Sequence, residues 1–292
     1  LMGQKPVRCV LNAGMGEASD PDLAPVESPK HIAVIGGGPG GMEAARVAAT
    51  RGHKVTLIEK SGKLGGQLNN AVVPPSKDEM QRVTDYLMSE IDRLDVEVRL
   101  NTEATPELIE ALAADQVVLA TGAKPSNPSF PGSDLDHVVS AWDVLAGSAD
   151  TGARVLIKGG GMVGLETALY LGDLNKSVVL VTGRDKIGED EAPTAMPMIN
   201  RRIEAADIQI LTNHRLEAIT AAEVTLKDAD GAAKTVVADT VVMAQRAEPD
   251  KALAEGLKAI EADYCCIGDC AEDKPRTLGD AIFEGFQTAA SL

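Results

Sequence analysis

The chain has 292 residues, enough for two domains, and is 44% apolar, 25% charged and only 2% aromatic. Its formal charge of −16 argues against nucleic acid, whose phosphates need clustered Lys and Arg. No apolar run approaches the ~18 residues of a membrane span, so no membrane partner is expected.

The N-terminal arm, residues 1–27, carries Lys5 and Arg8 with no apolar stretch behind them, so no signal peptide is expected. Cys9 lies in this arm, far from Cys265, Cys266 and Cys270. That distribution does not resemble a secreted disulfide framework, and a cytoplasmic location is the expectation. A strand, a glycine turn, an amphipathic helix and a second strand then read from His31 to Lys60 as HIAVIGGGPGGMEAARVAATRGHKVTLIEK. The same succession returns from Arg154 as RVLIKGGGMVGLETALYLGDLNKSVVLVTGRD.

A constant shift of 123 residues overlays the two segments without a gap. Gly36, Gly38 and Gly41 fall on Gly159, Gly161 and Gly164, and Glu43 falls on Glu166. In each copy the first glycine makes the tight turn and the second lets the backbone approach a pyrophosphate. The third lets the helix pack close to the strand, with its N-terminus aimed at the negative charge. Glu59 lies 18 residues after Gly41, near the ~20 expected of an acid that accepts adenosine ribose hydroxyls. Thr182 takes that place in the second copy, with Arg184 and Lys186 close behind. Exchanging a carboxylate for a hydroxyl and an arginine favours a 2′-phosphate, hence NADPH over NADH.

Three further segments bear on the first copy. GKLGGQL, Gly62 to Leu68, is a small-residue loop after the second strand. VVLATGAKP, Val117 to Pro125, is a buried strand ending in a Thr-Gly turn. CCIGDCAE, Cys265 to Glu272, ends a strand on Gly268-Asp269 before a helix-like TLGDAIFEGFQTAASL.

With these segments the chain resembles the two-dinucleotide-binding-domain flavoproteins, the glutathione-reductase-like fold. The resemblance implies an α/β protein of two Rossmann-like domains, with the NAD(P)H domain (146–261) inserted into a discontinuous FAD domain (28–145 and 262–292). It places FAD contacts on Gly36, Gly38, Pro39, Gly40, Gly41, Glu59, Lys60, Gly66, Gln67, Ala104, Thr121, Gly122, Gly268 and Asp269. It places NAD(P) contacts on Gly159, Gly161, Met162, Val163, Gly164, Glu166, Thr182 and Arg184. The implied chemistry is hydride transfer from the nicotinamide to the flavin, carried by the cofactors while the protein aligns them; no catalytic side chain is assigned.

A narrower resemblance joins PVRCVLNAGMGEASD to these motifs and to DHVVSAWDVL and IGDCAEDKPRTLGDAIFEGF. It is to the FAD/NAD(P) module of the enoate reductase and 2,4-dienoyl-CoA reductase group. There the module passes electrons from NAD(P)H through FAD and a 4Fe-4S cluster to an FMN barrel that reduces an activated C=C bond. Cys9 matches the last cluster cysteine, although Ala13 replaces the usual proline. The barrel and the other three cluster ligands would lie upstream of Leu1. Two other arrangements remain open. One is an electron-transfer module with a vestigial second nucleotide site, as in related amine dehydrogenases. The other is a separate reductase subunit that binds its catalytic partner non-covalently.

Several features weigh on these readings. No cysteine occurs in 60–70 or in 146–262, which disfavours the subclass with a redox Cys pair there. Cys265, Cys266 and Cys270 lack C-x₂-C spacing and read as small buried residues rather than metal ligands. His31, His53, His137 and His214 show no ligand pairing, Trp142 reads as a packing residue, and Glu189-Asp190-Glu191 reads as a solvated loop. Arg246 stands where the family carries a glycine near the nicotinamide nucleotide, so that a long cation either crowds the second site or supplies it with charge.

Overall fold

The structure, a computed structural model, describes residues 8–15, 23–126, 129–259, 262–271 and 277–292. Lys5, Glu272 and the ends of the PVRCVLNAGMGEASD stretch lie outside them. The chain forms two compact units, residues 1–69, 80–124 and 247–292 in one and 70–79 and 125–246 in the other.

In chain order, β1 (His31–Ile35) leads through the first glycine turn to α1 (Pro39–Thr50) and β2 (Lys54–Ile58). A single turn, α2 (Leu68–Ala71), precedes α3 (Gln81–Arg93) and β3 (Glu97–Arg99). Next come α4 (Pro106–Leu112), β4 (Gln116–Leu119), β5 (Ala123–Pro125), β6 (Val138–Ser140) and α5 (Ala141–Ala146). The second copy supplies β7 (Arg154–Lys158), α6 (Met162–Asp173) and β8 (Ser177–Val181). After them come α7 (Met196–Ala205), β9 (Gln209–Leu211), β10 (Arg215–Ile219), β11 (Glu223–Lys227) and β12 (Ala233–Val237). β13 (Thr240–Met243), β14 (Ala247–Pro249), α8 (Ala252–Ala259), β15 (Tyr264–Cys266) and α9 (Leu278–Ala290) complete the described elements.

The first unit holds a parallel sheet in the order β15-β4-β1-β2-β3. Its central strands read as continuous apolar runs because helices cover both faces. On one face Ala33, Ile35, Ile58, Val117 and Leu119 pack with Ile109 of α4, Leu257 of α8 and Cys270. Ile32 and Val34, both fully buried, point to the other face. There α1 meets α9 through small residues: a Cβ on Gly285 would lie 2.3 Å from the Gly40 carbonyl oxygen. The Thr277–Asp280 capping box starts α9.

The second unit repeats the plan in a parallel sheet ordered β6-β13-β7-β8-β9. Val155, Ile157, Val178 and Leu180 pack on α6 and α7 through Leu165, Leu169, Ile199 and Ile203. Leu156, Val181 and Val241 face an antiparallel meander, β10-β11-β12, through Ile219, Val224 and Leu226. β6 and α5 belong to this unit, so the division falls at 124/125 rather than at the expected 145/146. The cause is pairing: Val138–Ser140 are edge partners of Val241–Met243. On the C-terminal side the division falls at 246/247, ahead of the expected 261/262.

Candidate nucleotide-binding turns

Parallel strands end on one edge, so the loops that come after them gather there. Below the first turn, Gly36 donates its N–H to the Ile58 carbonyl at 2.8 Å and Gly65 donates to Gly37 at 2.8 Å. In the second turn Gly159 donates to Val181 at 2.9 Å and Gly188 donates to Gly160 at 2.8 Å. The 123-residue shift is therefore a repeat of hydrogen bonds as well as of letters.

The glycines are required by close approach. A Cβ on Gly36 would stand 2.3 Å from the Ala120 carbonyl oxygen, and one on Gly41 would stand 2.0 Å from that of Gly36. The counterparts, Gly159 against Ala244 and Gly164 against Gly159, would meet at 2.0 and 1.9 Å. Gly36 and Gly159 also hold φ of +111° and +133°, which L side chains avoid. Gly38 differs. Its φ of −73° suits any residue, and nothing lies within 4 Å of where its Cβ would be. It leaves open space at the N-terminus of α1, an end whose backbone N–H groups favour anions.

Glu59 follows β2 directly, with its side chain buried. One carboxylate oxygen accepts the Gly37 N–H and the other the Ser61 N–H, each at 2.7 Å. These bonds fix the carboxylate while leaving lone pairs for further donors. Gly66, at φ +53°, folds back until its Cβ would touch the Gly38 Cα at 2.9 Å. The neighbouring Gln67 donates to Asp269 Oδ2 at 3.0 Å. Thr121 donates to the Asp250 carbonyl at 2.7 Å, and Gly268 N–H reaches Glu284 Oε2 at 2.7 Å. Lys60 is exposed and pairs with Asp250 at 3.8 Å, and Ala104 packs on the sheet core. Gly36–Gly41, Glu59, Gly66–Gln67, Thr121–Gly122 and Gly268–Asp269 thus share the C-terminal edge of the first sheet.

Thr182 takes the place of Glu59 in the second unit, buried, with its Oγ1 accepting the Arg184 N–H at 3.3 Å. Arg184 pairs with Glu189 at 2.7 Å, and Met162, the first residue of α6, donates its N–H to Asp190 Oδ1 at 2.9 Å. Glu189 and Asp190 are exposed, as expected of a solvated loop, and they are also tied to both charge-bearing positions of this turn. Glu166, one turn into α6, pairs with Lys77 at 2.6 Å. Burial pushes its carboxyl pKa up, Lys77 opposes that rise, and Glu191 and Asp190 add to it. Sequence reasoning also passed over Lys158, the last residue of β7. It is half-buried, and desolvation lowers its ammonium pKa. The signal was present, since the 123-residue shift puts Lys158 on the core residue Ile35. Arg246 is exposed just beyond β13; the Ala244 carbonyl, not Arg246, abuts Gly159.

Among the described residues all four cysteines are free, and no group of three His, Cys, Asp or Glu side chains could hold a metal ion. Cys270 is buried in the first unit's core with Cys266 packed against that cluster, as small apolar residues. The thiol of Cys270 lies 3.3 Å from the Leu119 carbonyl and 3.2 Å from that of Ile267. Cys9 is half-buried in an arm that docks on α9, where the Arg8 guanidinium stacks 3.9 Å over the Phe283 ring and pairs with Asp280 at 3.5 Å.

Two glycine turns on parallel sheets, the first with a clamped carboxylate and an open approach, define a two-dinucleotide-binding-fold oxidoreductase. Residues 30–285 match the pyridine nucleotide-disulphide oxidoreductase family, and the chain belongs to it. This family binds FAD and NAD(P)H. The chain is 38% identical over 292 residues to a bilirubin reductase of Mediterraneibacter gnavus, covering 100% of this chain and 45% of that protein. It is 36% identical over 291 residues to an NADH oxidase of Thermoanaerobacter brockii, covering 97% of this chain and 44% of that one. The solved complex of 2-naphthoyl-CoA reductase with 2-naphthoyl-CoA superposes with a TM-score of 0.92 at 34% identity, over 98% of this chain and 43% of the other. The chain thus spans less than half the length of these relatives. No helix among the described residues is long and apolar enough to cross a membrane.

Proposed function

We propose that the chain is the NAD(P)H-oxidising module of a larger reductase, with FAD at the first glycine turn and NAD(P)H at the second. The observation that carries this reading is the repeat with a difference. The first turn joins an open helix N-terminus at Gly38 to a carboxylate held by two backbone N–H groups, whereas the second lacks that carboxylate. An FAD held there would accept a hydride from NAD(P)H and release electrons onward.

The chain's own residues then bind and orient. Gly36, Gly38, Pro39, Gly40 and Gly41 cradle the FAD pyrophosphate at the start of α1, and Glu59 accepts the adenosine ribose hydroxyls. Gly66, Gln67, Thr121, Gly122, Gly268 and Asp269 line the flavin side, with Lys60 and Ala104 at the margin. Gly159, Gly161, Met162, Val163, Gly164, Glu166, Thr182 and Arg184 serve the nicotinamide nucleotide, NADPH in preference to NADH because no acid stands at Thr182. Cys9 would supply one ligand of a 4Fe-4S cluster whose other ligands are not in this sequence, and an FMN barrel, attached or separate, would reduce an activated C=C bond. The names of the similar bilirubin and 2-naphthoyl-CoA reductases support that choice of acceptor. The cysteine distribution supports a cytoplasmic setting.

A second reading is an electron-transfer module whose second turn no longer takes a nucleotide. The seating of Asp190 on α6 favours it. Calorimetric titration separates the two. The first reading expects one FAD and one NAD(P)H per chain, whereas FAD binding with no nicotinamide nucleotide would leave only the second.

A further inference from the structure

The two glycine turns are alike in backbone but not in what stands before them. A Cβ on Gly38 would meet nothing within 4 Å, whereas one on Gly161 would lie 2.8 Å from Asp190 Oδ2. Asp190 reaches the helix from 28 residues down the chain, and its other oxygen accepts the Met162 N–H at 2.9 Å. The group that an N-terminal N–H attracts is an anion, and here the chain supplies one. The adjacent Glu189 does the same for the arginine, pairing with Arg184 at 2.7 Å.

The loop that carries both acids is not free to sit anywhere. Gly188, at φ +64°, donates its N–H to Gly160 at 2.8 Å, and Glu191 N–H closes back on the Gly188 carbonyl at 3.1 Å. The first unit has the same anchor, Gly65 to Gly37 at 2.8 Å, and Leu68 closes back on Gly65 at 3.1 Å. The residues just past the anchor differ. By the 123-residue shift, Gly66, Gln67 and Leu68 stand where Glu189, Asp190 and Glu191 stand. The matching loop therefore brings no charge to the first turn and two carboxylates to the second.

We infer that Glu189 and Asp190 are internal anions that compete with the phosphates of the nicotinamide nucleotide. This rests on the reading that the second turn binds that nucleotide. Asp190 stands in for the pyrophosphate on the α6 N-terminus, and Glu189 stands in for a 2′-phosphate on Arg184. Both must turn aside for NADPH to bind, whereas NADH needs only Asp190 to move. The acidic loop thus holds down affinity for both nucleotides through one residue and selects between them through its neighbour.

The test is the affinity of the purified protein, loaded with FAD that has been reduced beforehand under anaerobic conditions, for NADH and NADPH, read by nicotinamide fluorescence. Four proteins are compared: wild type, Asp190→Ala, Asp190→Asn and Glu189→Gln. Removing the Asp190 charge is expected to tighten both nucleotides, by about threefold to tenfold in Asp190→Ala. Asp190→Asn keeps a capping oxygen and should move in the same direction. Glu189→Gln is expected to tighten NADPH by about twofold to fivefold and leave NADH within error. Melting temperatures and FAD content identify any variant that fails to fold, and the inference then stands or falls on the remaining ones. Wild-type binding with unchanged or weaker affinity in the Asp190 variants overturns the competition. If neither wild type nor any variant binds either nucleotide, the reading of the second turn itself fails.

Discussion

Gly38 and Gly41 stand three residues apart in one motif, yet alanine should act on them through opposite terms. At Gly41 the new Cβ would lie 2.0 Å from the Gly36 carbonyl oxygen and 3.1 Å from the Ala120 Cβ. Backbone has to shift, at a cost of about 1–3 kcal/mol or more. For a chain of this size each kilocalorie lowers Tm by roughly 2–4 °C. At Gly38, φ is −73° and no atom lies within 4 Å, so Gly38→Ala meets neither strain nor clash. Its effect on the cofactor-free fold should lie within about 1 kcal/mol of wild type, because the freedom lost by the unfolded chain is opposed by the poorer N-cap that alanine makes on α1. The cost appears in binding instead. Losing even one charge-assisted hydrogen bond to a phosphate, about 1.5–3 kcal/mol, weakens FAD by roughly 10- to 150-fold. The assay pairs thermal melts of protein stripped of FAD with FAD titration by flavin fluorescence quenching. Gly38→Ala should keep its Tm and lose FAD, while Gly41→Ala should lose both. A Gly38→Ala protein that binds FAD as wild type does would refute the assignment of the first turn.

Glu59→Gln turns one acceptor into a donor facing the Gly37 or Ser61 N–H. We expect a loss of about 1–3 kcal/mol in stability, read by denaturant midpoint, together with weakened FAD; an unchanged midpoint would contradict the clamp. Asp239 is held near pKa 2, first by its hydrogen bond from the Arg154 guanidinium and then by the Arg154 N–H. Its folded pKa is depressed, so its contribution is complete above the ordinary carboxylate value of about 4 and is lost as pH falls through about 2. The stability gap between wild type and Asp239→Asn should therefore be widest near neutral pH and close as the pH falls from about 4 towards 2, measured by urea midpoints. Gly285→Ala forces a Cβ to 2.3 Å from the Gly40 carbonyl oxygen where α1 and α9 cross, and should lower Tm markedly.

The repeat was legible because close approaches of backbone demand glycine and leave few substitutes. A Cβ on Gly36, Gly41, Gly159 or Gly164 would lie within 2.3 Å of a carbonyl oxygen, so their letters record the contacts directly. Apolar runs such as Ile32–Ile35 and Val178–Val181 likewise announce strands of parallel sheets. The boundary at 124/125 was not legible, since β6 is three residues long and joins the second sheet only by pairing with β13. Nor was the role of Asp190: an acid among acids resembles a solvated loop until the fold brings it to Met162, 28 residues away. Of the three cysteines expected to be small buried residues, Cys270 lies in the core while Cys265 and Cys266 are half-buried.

The most direct measurement is anaerobic reduction of the FAD-loaded chain, tracked by flavin absorbance as NADPH or NADH is added. Rapid bleaching by a nicotinamide nucleotide is the predicted result, because the two turns serve a donor and an acceptor on one chain. Flavin that dithionite bleaches while neither nucleotide does would contradict an NAD(P)H-oxidising module.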